Sequence, residues 1–167
     1  SRGLSYAPQA RRSGPSRALS WDALADTPSE GGSEWRCLTE ALYFEARGET
    51  LAGMVAVAEV ILNRVESSAY PDSVCGVVRQ GMRAGLHRCQ FSYKCDGRPE
   101  TVSERDSWER VGRVARAMRD GLPRRLTLGA THYHADHVRP GWSRRLERTA
   151  VIGEHVFYRK PDRLARN

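Results

Sequence analysis

The run Glu45-Ala-Arg-Gly-Glu49 sets two carboxyl groups four residues apart around a glycine. Upstream, Trp35, Leu38, Leu42 and Ala46 follow helical spacing. Glu45 therefore falls in the last turn of an amphipathic helix, where the negative end of the helix dipole opposes ionisation. Burial beside Tyr43 and Phe44 would act in the same direction, because removal from water disfavours the charged form. A carboxyl group that keeps its proton near neutral pH can give it to a leaving oxygen as a general acid. Plainer roles compete for the same residues. Glu45 could face solvent or pair with Arg47, and Glu49 could cap the next helix.

Two further segments carry chemistry. Gln90-Phe91-Ser92-Tyr93 lies between Cys89 and Cys95, a polar and aromatic group on a constrained loop. That combination suits carbohydrate, whose apolar ring faces rest on aromatics while the hydroxyls take hydrogen bonds. Phe91 could equally plug the core, and Tyr133 and Trp142 invite the same two readings. The segment His132-Tyr-His134-Ala-Asp136-His137 fits an H-x-H-x-D-H zinc pattern, with imidazole and carboxylate ligands. Its place in the chain opposes that reading. Zinc hydrolases with this pattern place it early and draw further ligands from a long downstream region, whereas only His155 follows here. No phosphate loop, nucleophile elbow or dinucleotide fingerprint occurs.

The elements that must position these residues are mostly helical. The first helix starts near Ser33, read as its N-cap with Glu34 in the first turn, and stops at Gly48. A second helix spans about 50–66, with apolar residues on more than one face, so it should be central. Asp72 or Ser73 caps a short helix running to Gln80 and ending at Gly81. Residues 82–101 read as loop, with room for a small hairpin. Ser103 with Asp106 resembles a capping box for a helix ending at Gly121. The C-terminal third reads as short extended pieces with turns around Pro140 and Gly141. The expected fold is mainly α (α+β), with a minor β-hairpin component. The expected division is a flexible tail or linker over 1–33, rich in Ser, Pro, Gly, Ala and Arg, then one domain over 34–167.

At 167 residues the chain suits one domain with a real core. No apolar run approaches the roughly 20 residues of a membrane span, and the longest, Met54 to Leu62, contains Glu59. The N-terminus shows no continuous apolar stretch of the signal-peptide kind. A net charge of +7, with Lys94 and Lys160 the only lysines, favours anionic partners or reflects a GC-rich genome. Cys37, Cys75, Cys89 and Cys95 form an even set without paired C-x2-C spacing. Two disulfides are the leading reading, with Cys89 and Cys95 near enough to close a small loop.

Taken together, the chain resembles the spore cortex-lytic (SleB-like) cell wall hydrolase family, whose members also occur in bacteria that do not sporulate. The resemblance rests on Ala41–Glu49 and Gly53–Arg64, then on Tyr70-Pro71, Val77-Val78 before Gln80, and Gln90-Phe91-Ser92. Tyr133-His134, Pro140-Gly-Trp142, Ile152-Gly-Glu-His155 and Phe157-Tyr158 follow in consistent order, covering about residues 35–159. Family members usually carry Gln where Met54 stands, and the four cysteines are an addition to the spore enzymes' pattern.

The resemblance implies a lysozyme-like helical domain related to lytic transglycosylases, acting on peptidoglycan glycan strands between N-acetylmuramic acid and N-acetylglucosamine. It puts the general acid/base on Glu45, and it agrees with Gln90, Phe91, Ser92, Tyr133 and Trp142 as substrate-binding candidates. It calls for no metal and no other cofactor; no nucleic-acid partner is expected, and no membrane span. The four added cysteines suit an oxidising compartment, so a periplasmic or secreted location is expected. Two alternatives stand beside it. One is a zinc-dependent hydrolase using His132, His134, Asp136 and His137. The other is a non-catalytic basic module that binds wall polymer or nucleic acid. No regulatory protein partner is identified from the sequence.

Overall fold

Helix α2 (Leu51–Glu66) organises the molecule. Thr50 starts it, its hydroxyl accepting from the Gly53 N–H at 3.2 Å. Val55, Ala56, Val57, Ala58, Val60 and Ile61 are all essentially sealed from water, as expected of a helix apolar on several faces. The computed structural model describes residues 18–80 and 90–161. Within them α1 (Ser33–Ala46), α3 (Val74–Val78) and α4 (Arg105–Arg119) surround one side of α2. Strands β1 (His132–Ala135), β2 (Glu147–Ile152) and β3 (His155–Arg159) form an antiparallel sheet in the order β1-β3-β2. Phe157 of the central strand packs with Ala56 and Val60 of α2 and with Ala130, and Tyr133 of β1 joins this small core to the main one. The fold is thus mainly α with a small β part, as the sequence predicts.

Polar residues of α2 grip the segment that leads into β1. Glu59 is fully buried and accepts from the Leu126 N–H at 3.0 Å, and from the Thr127 N–H and Thr127 hydroxyl at 2.9 Å each. Asn63 donates to the Ala130 carbonyl at 2.8 Å, and Arg64 donates through Nε to the Thr131 carbonyl at 2.7 Å. A buried carboxylate is tolerable only with such donors. The charge that interrupts the longest apolar run is therefore a loop anchor. Met54, the departure from the resembled family's pattern, is a core residue with 3% exposure.

Several local expectations are corrected. Gly32, not Ser33, occupies the N-cap of α1, without a side-chain cap bond. The Glu34 carboxylate instead accepts from the N–H groups of Val74 and Cys75, at 2.6 and 3.1 Å, at the start of α3. Ser73 caps α3, which ends at Val78 rather than Gln80, and Gly81 lies outside the described residues. Ser103 and Asp106 form no capping box, because the N-cap of α4 is Glu104. The Tyr43 hydroxyl from α1 accepts the Ser103 and Glu104 N–H groups, at 3.2 and 3.1 Å, in its place. The helices close tightly where Gly112 lets Trp35 donate to its carbonyl at 2.8 Å. A Cβ there would lie 2.0 Å from the Ser29 hydroxyl oxygen.

The segment read as tail to residue 33 is partly domain. Residues 1–17 lie outside the described residues, but Leu24, in a 3-10 turn over Asp22–Leu24, is a core residue with Leu19 packed nearby. Arg116 of α4 donates to the Glu30 carbonyl at 2.9 Å, fixing this segment along the helix. Two leucines five residues apart set up no sustained period, so the sequence pattern does not reveal them. Cys37 of α1 is bonded to Cys75 of α3. Cys95 is also in a disulfide, and the expected Cys89–Cys95 closure involves Cys89, which lies outside the described residues. No helix among the described residues is long and apolar enough to cross a membrane.

Candidate active site

The last turn of α1 delivers Glu45 to the wall of a cleft of about 260 Å³. Across from it, β1 supplies Tyr133 and His132, α2 supplies Arg64, and the loop after residue 90 supplies Gln90, Phe91 and Ser92. Trp142, from the 3-10 turn Gly141–Arg145, completes the lining. Glu45, Gln90, Phe91, Ser92, Tyr133 and Trp142, the six candidates read from the sequence, are therefore brought together around one cavity. Glu45 also borders a second concavity, lined by Phe44, Arg47, Ser107 and Arg110 among others. Glu104 lines that second concavity and is ion-paired with Arg47.

Burial pushes the Glu45 carboxyl above its usual range, and one hydrogen bond from the Tyr133 hydroxyl, at 3.2 Å to Oε2, pulls partly against it. The balance lies with desolvation, so the protonated form is favoured beyond that of an ordinary glutamate. Tyr133 itself is held firmly as a phenol. Burial comes first among the causes, followed by the nearby Glu45 charge. Tyr93, stacked on Phe44 at 4.8 Å between ring centres, is likewise pushed up by burial and by the Glu40, Glu45 and Glu100 carboxylates. Glu45 thus sits among hydroxyl and aromatic groups, and it is the one carboxyl among the residues lining the 260 Å³ cleft.

The remaining wall is aromatic and cationic. Arg64 is 6% exposed, lies over the Tyr70 and Phe91 rings at 4.9 and 5.8 Å, and approaches the Gln90 side-chain oxygen at 3.5 Å. Phe91, at 3% exposure, belongs to the core and also lines the cleft. Trp142 is 37% exposed and packs against the His132 and His134 rings at 5.3 and 5.7 Å. Its free area is available to a ring stacked on it. Burial, then the Arg64 and Lys160 charges, push His132 down to about 4, so it presents a neutral imidazole.

The zinc reading fails on geometry. His134 is engaged at both nitrogens, by the Ala135 carbonyl at 2.7 Å and the Tyr158 hydroxyl at 2.9 Å. Nδ1 of His132 meets the Thr131 hydroxyl at 3.0 Å, and Asp136 and His137 lie past the end of β1, exposed. Among the described residues no three His, Cys, Asp or Glu side chains converge. The pattern is a strand periodicity. His132 and His134 share one face of β1, and Tyr133 points to the other, toward Glu45.

Sequence reasoning missed Arg64 as a cleft residue and assigned His132 only to a metal. Arg64 carried a usable signal, a charge within an otherwise buried helix. His132 carried none beyond alternation with Tyr133.

A profile of the cell wall hydrolase family matches residues 48–158. The spore cortex-lytic enzyme of Halalkalibacterium halodurans is 34% identical over 122 residues, which is 72% of this chain and 33% of the relative. The spore cortex-lytic enzyme of Bacillus subtilis is 47% identical over 66 residues, 38% of this chain and 22% of the relative. This chain therefore spans about a third or less of the length of these relatives. Among solved structures, the catalytic domain of the germination-specific lytic transglycosylase SleB from Bacillus anthracis superposes with a TM-score of 0.60 at 27% identity. That likeness covers 78% of this chain and 97% of that one. The catalytic domain of Bacillus cereus SleB gives 0.58 at 30% identity, covering 78% and 94%.

Proposed function

This chain belongs to the cell wall hydrolase family, and from that premise we propose that it is a lytic transglycosylase that cleaves peptidoglycan glycan strands, with Glu45 as general acid and base. The observation that carries the proposal is a single carboxyl group, shifted toward its protonated form by burial, in a cleft lined by aromatic and amide side chains. The usual glycosidase places two carboxyl groups across the scissile bond. With one, the simplest balanced reaction uses it twice. Protonated Glu45 donates to the oxygen joining N-acetylmuramic acid to N-acetylglucosamine, and that bond breaks. The Glu45 carboxylate then takes the proton of the muramyl 6-hydroxyl as its oxygen bonds to the anomeric carbon. A 1,6-anhydro ring closes and the acid is restored.

The Tyr133 phenol suits this cycle, since its hydrogen bond favours the carboxylate form that must appear midway. Trp142 offers an apolar face to a sugar ring, Phe91 backs the cleft from the core, and Gln90 and Ser92 offer hydrogen bonds. The net positive charge favours residence on an anionic wall. The disulfides suit an oxidising site of action in the cell envelope.

Digestion of purified peptidoglycan by the wild-type chain and by Glu45→Gln, with products identified by mass spectrometry, tests the assignment. Anhydro-muropeptides from the first and none from the second are expected. Equal products from both would reject Glu45 as the acid. Hydrated reducing ends would replace transglycosylation by hydrolysis at the same residue.

A further inference from the structure

Glu49 and His155 form a nearly closed pair that the cleavage reaction does not use. Neither lines the cleft, and their side chains are 12% and 11% exposed. His155 Nδ1 lies 3.4 Å from Glu49 Oε1, within ion-pair range though longer than a well-formed hydrogen bond. Nδ1 has no other polar partner among the described residues. The carboxylate occupies a space that two glycines leave open. A Cβ on Gly153, whose φ is +57°, would lie 2.5 Å from Glu49 Oε2, and one on Gly53 would lie 2.9 Å from the Glu49 Cβ. Gly53 opens α2 and Gly153 sits in the turn between β2 and β3, so Glu49 is clasped by both ends of the contact.

The other side of His155 faces the site. In the β1–β3 register Tyr133 is opposite Phe157 and Ala135 is opposite His155, which makes Tyr133 and His155 diagonal neighbours on one face. Their rings meet edge to face at 5.1 Å. The Tyr133 hydroxyl then reaches Glu45. Contacts thus run from Glu49 to His155, to Tyr133 and back to Glu45, bridging the break between α1 and α2.

We propose that Glu49 and His155 are positioning residues, which fasten the β2–β3 turn to the α1–α2 corner and thereby hold the Tyr133 hydroxyl on the Glu45 carboxyl. The proposal takes Glu45 as the proton donor, as in the preceding reading. Its test is chosen to fail separately. The groups facing Glu45 are Tyr133 from β1 and Tyr93 from the 3-10 turn Ser92–Lys94, with Arg64 of α2 and His132 of β1 sharing the cleft, and Arg47, Arg110 and Glu104 on the second concavity it borders. Substitution at Glu49 leaves all of these in the sequence.

The sign of the response separates positioning from plain electrostatics. Removing a nearby negative charge by itself eases ionisation of Glu45 and moves its titration down. Releasing the Tyr133 hydroxyl removes a hydrogen bond to the carboxylate form and moves the titration up. The experiment is a carbon-13 NMR titration of side-chain carboxyls in the full 167-residue chain, with the Glu45 signal assigned by its loss in Glu45→Gln. Wild type, Tyr133→Phe, Glu49→Gln and the double variant are compared, with His155→Gln as a second probe should Glu49→Gln not fold.

Tyr133→Phe and Glu49→Gln are both expected to raise the Glu45 midpoint, and the double variant to move it no further than Tyr133→Phe alone. In glycan cleavage, Glu49→Gln should lower kcat about ten- to a hundredfold with KM unchanged, the scale of a small misplacement of a reacting group. An unmoved or lowered midpoint in Glu49→Gln overturns the proposal. So does a shift that adds in full to that of Tyr133→Phe. Absence of glycan cleavage by the wild-type chain would instead sink the functional reading, since the titration does not depend on turnover.

Discussion

Replacing Glu59 by alanine should be among the most damaging single changes outside the cleft. Its carboxylate accepts three hydrogen bonds in a site with no exposure, from the Leu126 and Thr127 N–H groups and the Thr127 hydroxyl. Truncation leaves these donors without their acceptor, at about 1–3 kcal/mol for each buried group. Water entering the space offsets part of the sum, so a net loss of about 4 kcal/mol is expected, the scale of breaking a buried charged network. For a chain of this size that corresponds to a fall in Tm of roughly 8–16 °C. Urea titration followed by tryptophan fluorescence and by circular dichroism measures it. Glu66→Ala is the control. Its partner Arg124 also donates to the Asn63 side chain at 3.0 Å, and Glu66 is 66% exposed, so a change within about 1 kcal/mol is expected. A Glu59→Ala variant within about 1 kcal/mol of wild type would refute the view that this helix holds the 126–131 segment through its carboxylate.

Three more outcomes follow from the structure. Because burial raises the Glu45 pKa in the folded state, its favourable contribution to stability is complete below the ordinary glutamate range and is lost as pH rises through the raised value. Glu45→Gln cannot ionise, so its stability advantage over wild type should widen from pH 4 upward and then level off; urea midpoints that stay parallel across pH would contradict this. The Cys37–Cys75 bond closes a loop with a sequence separation of 38, so the Cys37→Ala/Cys75→Ala double variant should lose about 4 kcal/mol by the chain-entropy relation. A loss under about 1 kcal/mol would show that α1 and α3 hold together without it. Gly153→Ala forces a side chain into left-handed backbone and against Glu49 Oε2, and should cost about 1–3 kcal/mol. Gly141→Ala, with open space around it, should cost far less in the same unfolding assay.

What the sequence by itself determined is local or motif-borne. The apolar spacing of α1 and α2, a cap for α3 at Asp72 or Ser73, and the place of Glu45 in a last helical turn all depend on neighbours within a few residues, whereas the cap of α2 is Thr50 and not Glu49 as the sequence suggests. The ordered blocks from Ala41 to Tyr158 pointed to the family and with it to Glu45, while residue types on loops and turns pointed to the other five residues that now line one cleft.

The rest was decided in three dimensions. The Tyr133 hydroxyl meets Glu45 across 88 residues of chain, the Tyr43 hydroxyl takes the place of a capping box across 60, and Glu59 anchors a loop 67 residues away. Such contacts leave no period in the sequence, because their partners meet only after the helices and sheet have packed. The same holds for Leu24, hidden in a segment whose composition reads as linker, and for the histidines of β1. Their zinc-like spacing arose from strand alternation, and the Ala135 carbonyl and the Tyr158 hydroxyl had already claimed the nitrogens of His134. Residue types set which groups could titrate or donate; burial and long-range hydrogen bonds set which of them did.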